Sequence, residues 1–218
     1  MDERAQGIVL RVYPLTETSL IIRWLTRELG RISTVAKGAR RAKSPFRGKL
    51  DLFYRADLIF GRSRRSELHT LREVSLRETH PFLRKELGYL QQASYCSALI
   101  EQVTETETPM PATFDLLSDF LNHLGAHSLT PQSVFAFEFK LLNELGLKPD
   151  LAKSSLTKGA QQIVQALAES DWGAISRLKL SAAQTGELRQ FLHGFQIFHF
   201  GKVPGSRAAA TNAGVSPR

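Results

Sequence analysis

One run of basic residues is the part of this sequence best suited to bind a ligand. Residues 35–49 read VAKGARRAKSPFRGK and contain no Asp or Glu; the six basic residues are Lys37, Arg40, Arg41, Lys43, Arg47 and Lys49. Basic side chains bind the phosphates of nucleic acids by charge, and the counterions released drive the affinity. We predict that this run contacts backbone phosphates. A solvated basic loop without a partner is the alternative.

A second basic cluster follows in GRSRRSE, where Arg62, Arg64 and Arg65 precede the last apolar run of the first third of the chain. We expect these three residues in a turn between two strands. In a small barrel, that turn and the first basic run would flank one groove. We therefore add these three arginines to the predicted phosphate contacts.

Three aromatic residues lie close to the first basic run. Aromatic rings hold single strands by stacking on bases, without reading their sequence. Tyr54 alternates with apolar residues, which favours a place in the core, whereas Phe53 alternates with charged residues. Phe53 is therefore the predicted stacking residue, and for Phe46 both places remain open.

No pattern in the sequence predicts catalysis. A phosphate-binding P-loop needs Gly-Lys followed by Ser or Thr, but Leu50 follows Gly48-Lys49. His123 and His127 have metal-ligand spacing, but no Glu or Cys completes a ligand set. Cys96 lies on an apolar helical face without a nearby base, so we expect a small buried side chain. The acidic residues at 101–107 are typical of a solvated helix end. We predict no catalytic residue, metal or cofactor.

The positive charge is confined to one part of the chain. The 218 residues carry a net charge of +8; residues 1–80 hold 17 Lys and Arg against 9 Asp and Glu, and residues 81–218 hold 12 of each. Such asymmetry indicates a polyanionic partner for the first third, with nucleic acid and anionic membrane as candidates. Without a signal-like or membrane-length apolar stretch, we expect a cytoplasmic protein with no membrane partner.

Alternation of apolar and polar residues predicts a barrel before a helical region. The longest alternating run is LDLFYRADLIF, from Leu50 to Phe60. We predict five strands, at 7–15, 19–26, 30–38, 50–60 and 67–76. The period becomes helical after His80-Pro81. The predicted fold class is α+β: a five-stranded barrel domain at 1–79, an all-α domain at 80–200 and a disordered tail at 201–218.

Several segments resemble the RecO family of bacterial recombination mediators. They are TETSLIIRWLTRELGRISTVAKGARRAKSPFRGKL at 16–50, LHTLREVSL at 68–76 and LLNELGLKPDL at 141–151. The resemblance implies an oligonucleotide/oligosaccharide-binding (OB) barrel followed by a helical domain, in a nucleoid-associated protein. It implies binding of single- and double-stranded DNA and annealing of complementary strands. It also implies partnership with RecR and with the acidic tail of the single-strand-binding protein, to load RecA.

One departure from the family concerns zinc. Many members carry Cys-x-x-Cys after the segment that matches LLNELGLKPDL, as part of a four-cysteine zinc site. Ser154 and Thr157 stand at those positions here. Because thiolates are the typical ligands of structural zinc, we predict no zinc.

Residues for a protein contact are harder to assign from the sequence. Lys140, in FAFEFKLL, is a candidate cation for the acidic tail of the single-strand-binding protein, although the neighbouring Phe135, Phe137 and Phe139 fit a core better. Two alternatives remain for the whole chain. One is an RNA-binding OB protein of the translation apparatus. The other is an adaptor whose basic loop meets an acidic protein.

Overall fold

The computed structural model describes residues 2–214, which form two compact units. Among these residues, the barrel unit comprises 2–80 and 104–115, and the helical unit comprises 81–103 and 116–214. The predicted boundary after residue 79 lies one residue from the first observed boundary. The inclusion of 104–115 in the barrel unit differs from the prediction, which placed the whole of 80–200 in one helical domain.

Five strands form the barrel: β1 (Asp2–Pro14), β2 (Leu20–Thr26), β3 (Gly30–Ala36), β4 (Arg55–Gly61) and β5 (Leu68–Glu78). They close in the order β1-β2-β3-β5-β4, with β3 and β5 parallel and the other neighbours antiparallel. A closed five-stranded barrel with this mixed pairing is the OB fold. The predicted fold class, a five-stranded OB barrel followed by a helical region, is confirmed.

The barrel interior is filled by alternate side chains of its strands, as a half-buried sheet requires. Trp24 of β2 and Leu58 and Phe60 of β4 are fully buried there. The one polar atom of the Trp24 ring is satisfied, since Nε1 donates a 2.9 Å hydrogen bond to Oγ1 of Thr34 on β3. This buried hydrogen bond therefore helps to fix the register of β2 against β3.

The predicted strand at 50–60 is wrong over its first half. Strand β4 begins only at Arg55, and residues 37–54 form successive turns. Phe53 has φ +63°, in the left-handed region. Such a residue cannot continue an extended strand, so the alternation from Leu50 onward does not reflect strand geometry before Arg55.

The helical unit contains most of the helical residues, and α2 begins in the barrel unit. The α-helices are α1 (Leu87–Val103), α2 (Pro111–Ala126), α3 (Pro131–Glu144), α4 (Lys158–Glu169), α5 (Trp172–Arg177), α6 (Ala182–Phe200) and α7 (Arg207–Asn212). Short 3₁₀ turns cover Pro81–Arg84 and Leu151–Lys153. Helix α3 is central, as expected: it contacts α1, α4, α5, α6 and α7, and its three phenylalanines are buried. No helix within residues 2–214 is both long and apolar enough to cross a bilayer.

The predicted disordered tail is wrong for residues 207–212. Helix α7 covers these residues and contacts α1 and α3. Its buried Arg207 donates from Nε and Nη2 to the two carboxylate oxygens of Glu138 on α3, at 2.6 and 3.0 Å. The composition of the tail gave no sign of this long-range ion pair. Residues 215–218 of the predicted tail lie outside the described residues.

The single cysteine is buried, as predicted. Cys96 lies on α1 with no exposed surface, and burial raises the pKa of its thiol well above the usual range. A protonated, inaccessible thiol does not act as a nucleophile.

A pH dependence of folding is expected from His123 on α2. Burial, with a smaller contribution from neighbouring His127, lowers the pKa of His123 to about 4. The unfolded chain binds this proton below about pH 6.5, but the folded chain does so only below about pH 4. As the pH is lowered from about 6.5 to about 4, the free energy of unfolding should therefore fall, by at most on the order of 3 kcal/mol. Denaturant titrations across this range measure the effect.

The control for this pH dependence is His123→Gln, which keeps an amide able to reach the Ser133 hydroxyl, now 2.9 Å from the His123 Nε2. The variant should lose the step between pH 6.5 and 4. An unchanged step in the variant would assign the pH dependence to other groups.

Candidate nucleic-acid interface

The basic loop, residues 37–49, is an ordered chain of turns between β3 and β4. Backbone hydrogen bonds join Arg41 to Gly38, Ser44 to Arg41 and Arg47 to Ser44, at 3.0–3.2 Å. The turns use the left-handed backbone of Gly38 and Gly48, a conformation that glycine adopts without strain. The loop therefore presents its cations from a defined backbone.

Phe46 anchors this loop to the barrel. Its side chain is only 6% exposed and belongs to the barrel core cluster. The open question about Phe46 is thus answered in favour of packing. Burying one large ring at the centre of the loop lowers the entropy that the loop would lose on binding a ligand.

The loop cations face solvent and have no acidic partner in the described part of the chain. Five of the six are exposed and Lys49 is half-buried. The polar contacts of their side chains are to backbone oxygens: Arg40 reaches the carbonyl of Thr16 and Arg47 that of Ala42. Among residues 2–214 none of the six forms an ion pair with an acidic side chain. Their positive charge is therefore available to a polyanion.

The basic loop lies beside the turn between β1 and β2. The amide of Arg40 donates to the carbonyl of Thr18 at 3.0 Å, and the amide of Gly38 donates to Oγ of Ser19 at 3.4 Å. The pairing of Leu20 with Ala36 places both connections at the same end of the barrel. We call this end the basic end.

The second basic cluster lies at the opposite end. Strand β4 runs antiparallel to β1, and Gly61 pairs with Asp2 at the start of β1, so the turn after β4 is far from the end of β1. Strands of seven residues separate the two ends by roughly 20 Å. The structure therefore does not bring the two clusters together in one patch, although each borders the strands of the same barrel.

Arg62 is ion-paired, unlike the residues of the basic loop. Its guanidinium donates to Glu3 at 2.6 and 3.1 Å and to Glu107 at 2.6 Å, and it lowers the pKa of Glu3. Arg64 and Arg65 are exposed. The charge of Arg62 is thus already compensated within the barrel unit, which the sequence-based selection of this residue missed.

The segment 104–115 supplies acidic partners for several basic side chains of the barrel. Glu107 also lies 2.9 Å from Nε2 of the buried His69, and its backbone amide donates to the carbonyl of Arg31 at 2.8 Å. Asp115 accepts two hydrogen bonds from Arg27, at 2.9 and 3.0 Å. Glu107 is exposed, as expected for a solvated acidic segment, but it also forms an ion pair with Arg62.

Replacing the arginines of the β4–β5 turn with alanine should affect stability to different degrees. Arg62→Ala should lower barrel stability by about 1–2 kcal/mol, because Glu3 and Glu107 lose their hydrogen bonds to Arg62. It should leave the salt dependence of DNA binding unchanged. Arg64→Ala with Arg65→Ala should leave stability within about 0.5 kcal/mol of the unaltered chain. Thermal unfolding and DNA titration measure both. A large DNA-binding defect for Arg62→Ala, without loss of stability, would contradict this division.

Phe53 is not available for stacking, and its prediction as a DNA-binding residue is wrong. The side chain is 1% exposed. Its amide donates to the carbonyl of Val9 at 2.8 Å, and its own carbonyl lies 2.7 Å from Nδ1 of the buried His80. The left-handed backbone at this position turns the ring inward, which strand alternation cannot anticipate.

Two known protein families match this chain, one over the strand region and one over part of the helical region. Residues 1–80 match the family described as "Recombination protein O N terminal", and residues 84–162 match the family described as "Recombination protein O C terminal". The chain belongs to the RecO family. This family consists of recombination mediators, which are not enzymes.

Similar RecO-family proteins come from several bacteria, and each is named DNA repair protein RecO. The chain is 27% identical to that of Exiguobacterium sibiricum over 209 residues, which cover 93% of this chain and 82% of the relative. It is 36% identical to that of Symbiobacterium thermophilum (67% and 57% covered) and 35% identical to that of Pelotomaculum thermopropionicum (72% and 60% covered). The chain therefore spans less than two thirds of the length of the last two relatives.

The positions of the family's cysteine pair do not fit a zinc ion. Thr157 is the N-cap of α4: its hydroxyl accepts from the amide of Ala160 and donates to Glu187. The Ser154 hydroxyl donates to the carbonyl of Leu151 at 2.8 Å. Both side chains are neutral and engaged in local bonds. Within residues 2–214 no three His, Cys, Asp or Glu side chains cluster as a metal site.

Lys140 is not free to meet an acidic peptide. Its ammonium donates to the carbonyls of Ser170 at 2.7 Å and Ala168 at 3.3 Å, and it lies 5.7 Å from the centre of the Trp172 ring. Burial lowers the pKa of Lys140. These bonds satisfy carbonyls at the end of α4, where a cation is favourable. The residue has a structural role, so its prediction as a partner-binding residue is not supported.

Proposed function

We propose that this RecO-family chain binds single- and double-stranded DNA through the basic loop and anneals complementary strands. The observation that carries the proposal is the set of six loop cations, presented from ordered turns at the basic end of the barrel and without acidic partners among residues 2–214. OB barrels use such loops beside their strands to bind oligonucleotides. Arg64 and Arg65 would add contacts at the other end.

Charge neutralisation is the proposed mechanism of annealing. Two single strands repel each other through their phosphates, and a dense set of cations reduces that repulsion while releasing counterions. Because Lys and Arg contact phosphates without reading bases, the same loop serves strands of any sequence. Base pairing then selects the complementary partner.

The proposed protein partners follow from the family. RecR and the acidic tail of the single-strand-binding protein are the expected partners, and RecA is loaded indirectly onto the coated strand. The net charge of zero over residues 81–218 makes that part of the chain the better surface for a protein contact. Since the Lys140 ammonium is bonded to carbonyls at the end of α4, the proposal needs another cation to meet the acidic tail. The proposed place of action is the nucleoid.

Annealing of two dye-labelled complementary oligonucleotides tests this proposal. Energy transfer should appear faster with the protein than without it, and added salt should slow it again. Non-complementary strands are the matched control and should give no transfer. Binding without any acceleration would contradict annealing. Preferential binding of structured RNA would instead favour the translation-related alternative.

A further inference from the structure

An exposed aromatic ring lies on the outer face of the barrel. Tyr13, near the end of β1, is 37% exposed. It pairs with Ile21 of β2, which pairs with Val35 of β3, and the next row of the sheet contains the fully buried Ile22 and Thr34. Because neighbouring rows point to opposite faces of a sheet, the Tyr13 ring points outward.

A β-bulge sets this orientation. The pairing of β1 with β2 shifts by one residue between Val9 and Arg11, and Val9 and Val12 both pack in the barrel core. Strict alternation from Val9 would not place Val12 on the same face. Bulges re-aim side chains in this way, and here the result is that Tyr13 faces solvent.

The Tyr13 ring has a cationic neighbour, and an exposed apolar residue follows two positions later in the sequence. The guanidinium carbon of Arg23 lies 5.6 Å from the centre of the Tyr13 ring, within the range of a cation–π contact. Leu15, two residues further along, is 45% exposed. The turn that follows is held by the Thr16 hydroxyl, which accepts from the amide of Ser19 at 3.1 Å. The ring therefore stands on a fixed strand beside a fixed turn.

This turn is the one that contacts the basic loop. Residues Thr18 and Ser19 accept hydrogen bonds from the amides of Arg40 and Gly38. The exposed ring and the loop cations are therefore at the same end of the barrel. A strand whose phosphates lie along the loop would have its bases within reach of the outer face of β1 and β2.

We propose that Tyr13 stacks on a base of single-stranded DNA, with Leu15 as an apolar neighbour of that base. The proposal rests on the proposed DNA binding and adds to it a base contact that the buried Phe53 does not make. Bases in a duplex are already stacked on each other, so the Tyr13 ring contributes only to single-strand binding. The basic loop contributes to both forms.

The test compares two probes of equal length and charge: an oligonucleotide with natural bases and an abasic deoxyribose-phosphate chain. The variants are Tyr13→Ala and Tyr13→Phe, and Phe198→Ala in the helical unit removes an aromatic side chain that is 83% exposed as a control. Since one stacked base is worth about 1–3 kcal/mol, Tyr13→Ala should weaken binding of the natural oligonucleotide on the order of 10-fold. Its salt slope and its affinity for the abasic chain should not change.

The other variants complete the expected pattern. Tyr13→Phe keeps the ring and should bind both probes like the unaltered chain, as should Phe198→Ala. Unchanged binding by Tyr13→Ala, while the unaltered chain binds with a steep salt slope, would overturn stacking and leave the proposed function intact. Equal losses on both probes, or an equal loss in Phe198→Ala, would also overturn stacking. Failure of the unaltered chain to bind either probe would overturn both proposals.

Discussion

Arg207→Ala is expected to lower the free energy of unfolding of the helical unit by about 3–5 kcal/mol, because it leaves Glu138 buried and unpaired. Glu138 is fully buried and receives two hydrogen bonds from Arg207 and one from Tyr95. Arg207 also donates from Nη1 to the carbonyl of Arg189 on α6, at 3.1 Å. One guanidinium thus joins α3, α6 and α7. Denaturant unfolding measures the loss.

Two further variants separate this ion pair from general effects. Glu138→Gln combined with Arg207→Met removes both charges and keeps an acceptor for Tyr95, and it should recover most of the lost stability. Arg177→Ala removes an exposed arginine of α5 and should stay within about 0.5 kcal/mol of the unaltered chain. An Arg207→Ala variant as stable as Arg177→Ala would show that the pair does not hold α7.

Removing four cations of the basic loop is expected to have the largest effect on DNA binding. The variant carries alanine at Arg40, Arg41, Lys43 and Arg47. Each phosphate contact to a single strand contributes about 0.7 to the slope of log affinity against log salt, so the slope should become shallower by about 3. At 0.1 M salt the same relation gives an affinity loss of about 100-fold or more. Fluorescence anisotropy measures both quantities.

The matched control removes the same charge elsewhere. Alanine at Lys148, Lys153, Lys158 and Lys179, all exposed in the helical unit, lowers the net charge by the same amount. This control should retain most of the slope, because these residues lie outside the proposed interface. Equal losses in both variants would mean that net charge alone, and not the loop, determines binding. Circular dichroism should show that both variants remain folded.

The barrel could be predicted from the sequence because its strands are short, alternating and separated by recognisable turns. The prediction was wrong where local backbone geometry departs from alternation. A left-handed residue at Phe53 ends the apparent strand and buries the ring. The bulge before Arg11 has the opposite consequence, since it leaves Tyr13 on the outer face. Neither backbone feature has a clear signature in residue types.

The predicted site residues divide according to where their partners lie in the sequence. The basic loop contains no acidic residue, and in the structure no acidic side chain among residues 2–214 pairs with its cations. Arg62 was selected by the same reasoning, but its partners Glu3 and Glu107 are 59 and 45 residues away. Lys140 likewise bonds to carbonyls 28 and 30 residues further on. Long-range pairing of this kind cannot be predicted from local composition.

The most direct test of the basic loop as the DNA-binding element is the salt dependence of binding by the unaltered chain. Anisotropy of a labelled single-stranded oligonucleotide would be measured at several salt concentrations. Six loop cations in contact with phosphates predict a slope of about −4 in log affinity against log salt. Weak binding even at low salt, or a slope near zero, would contradict phosphate binding by the loop.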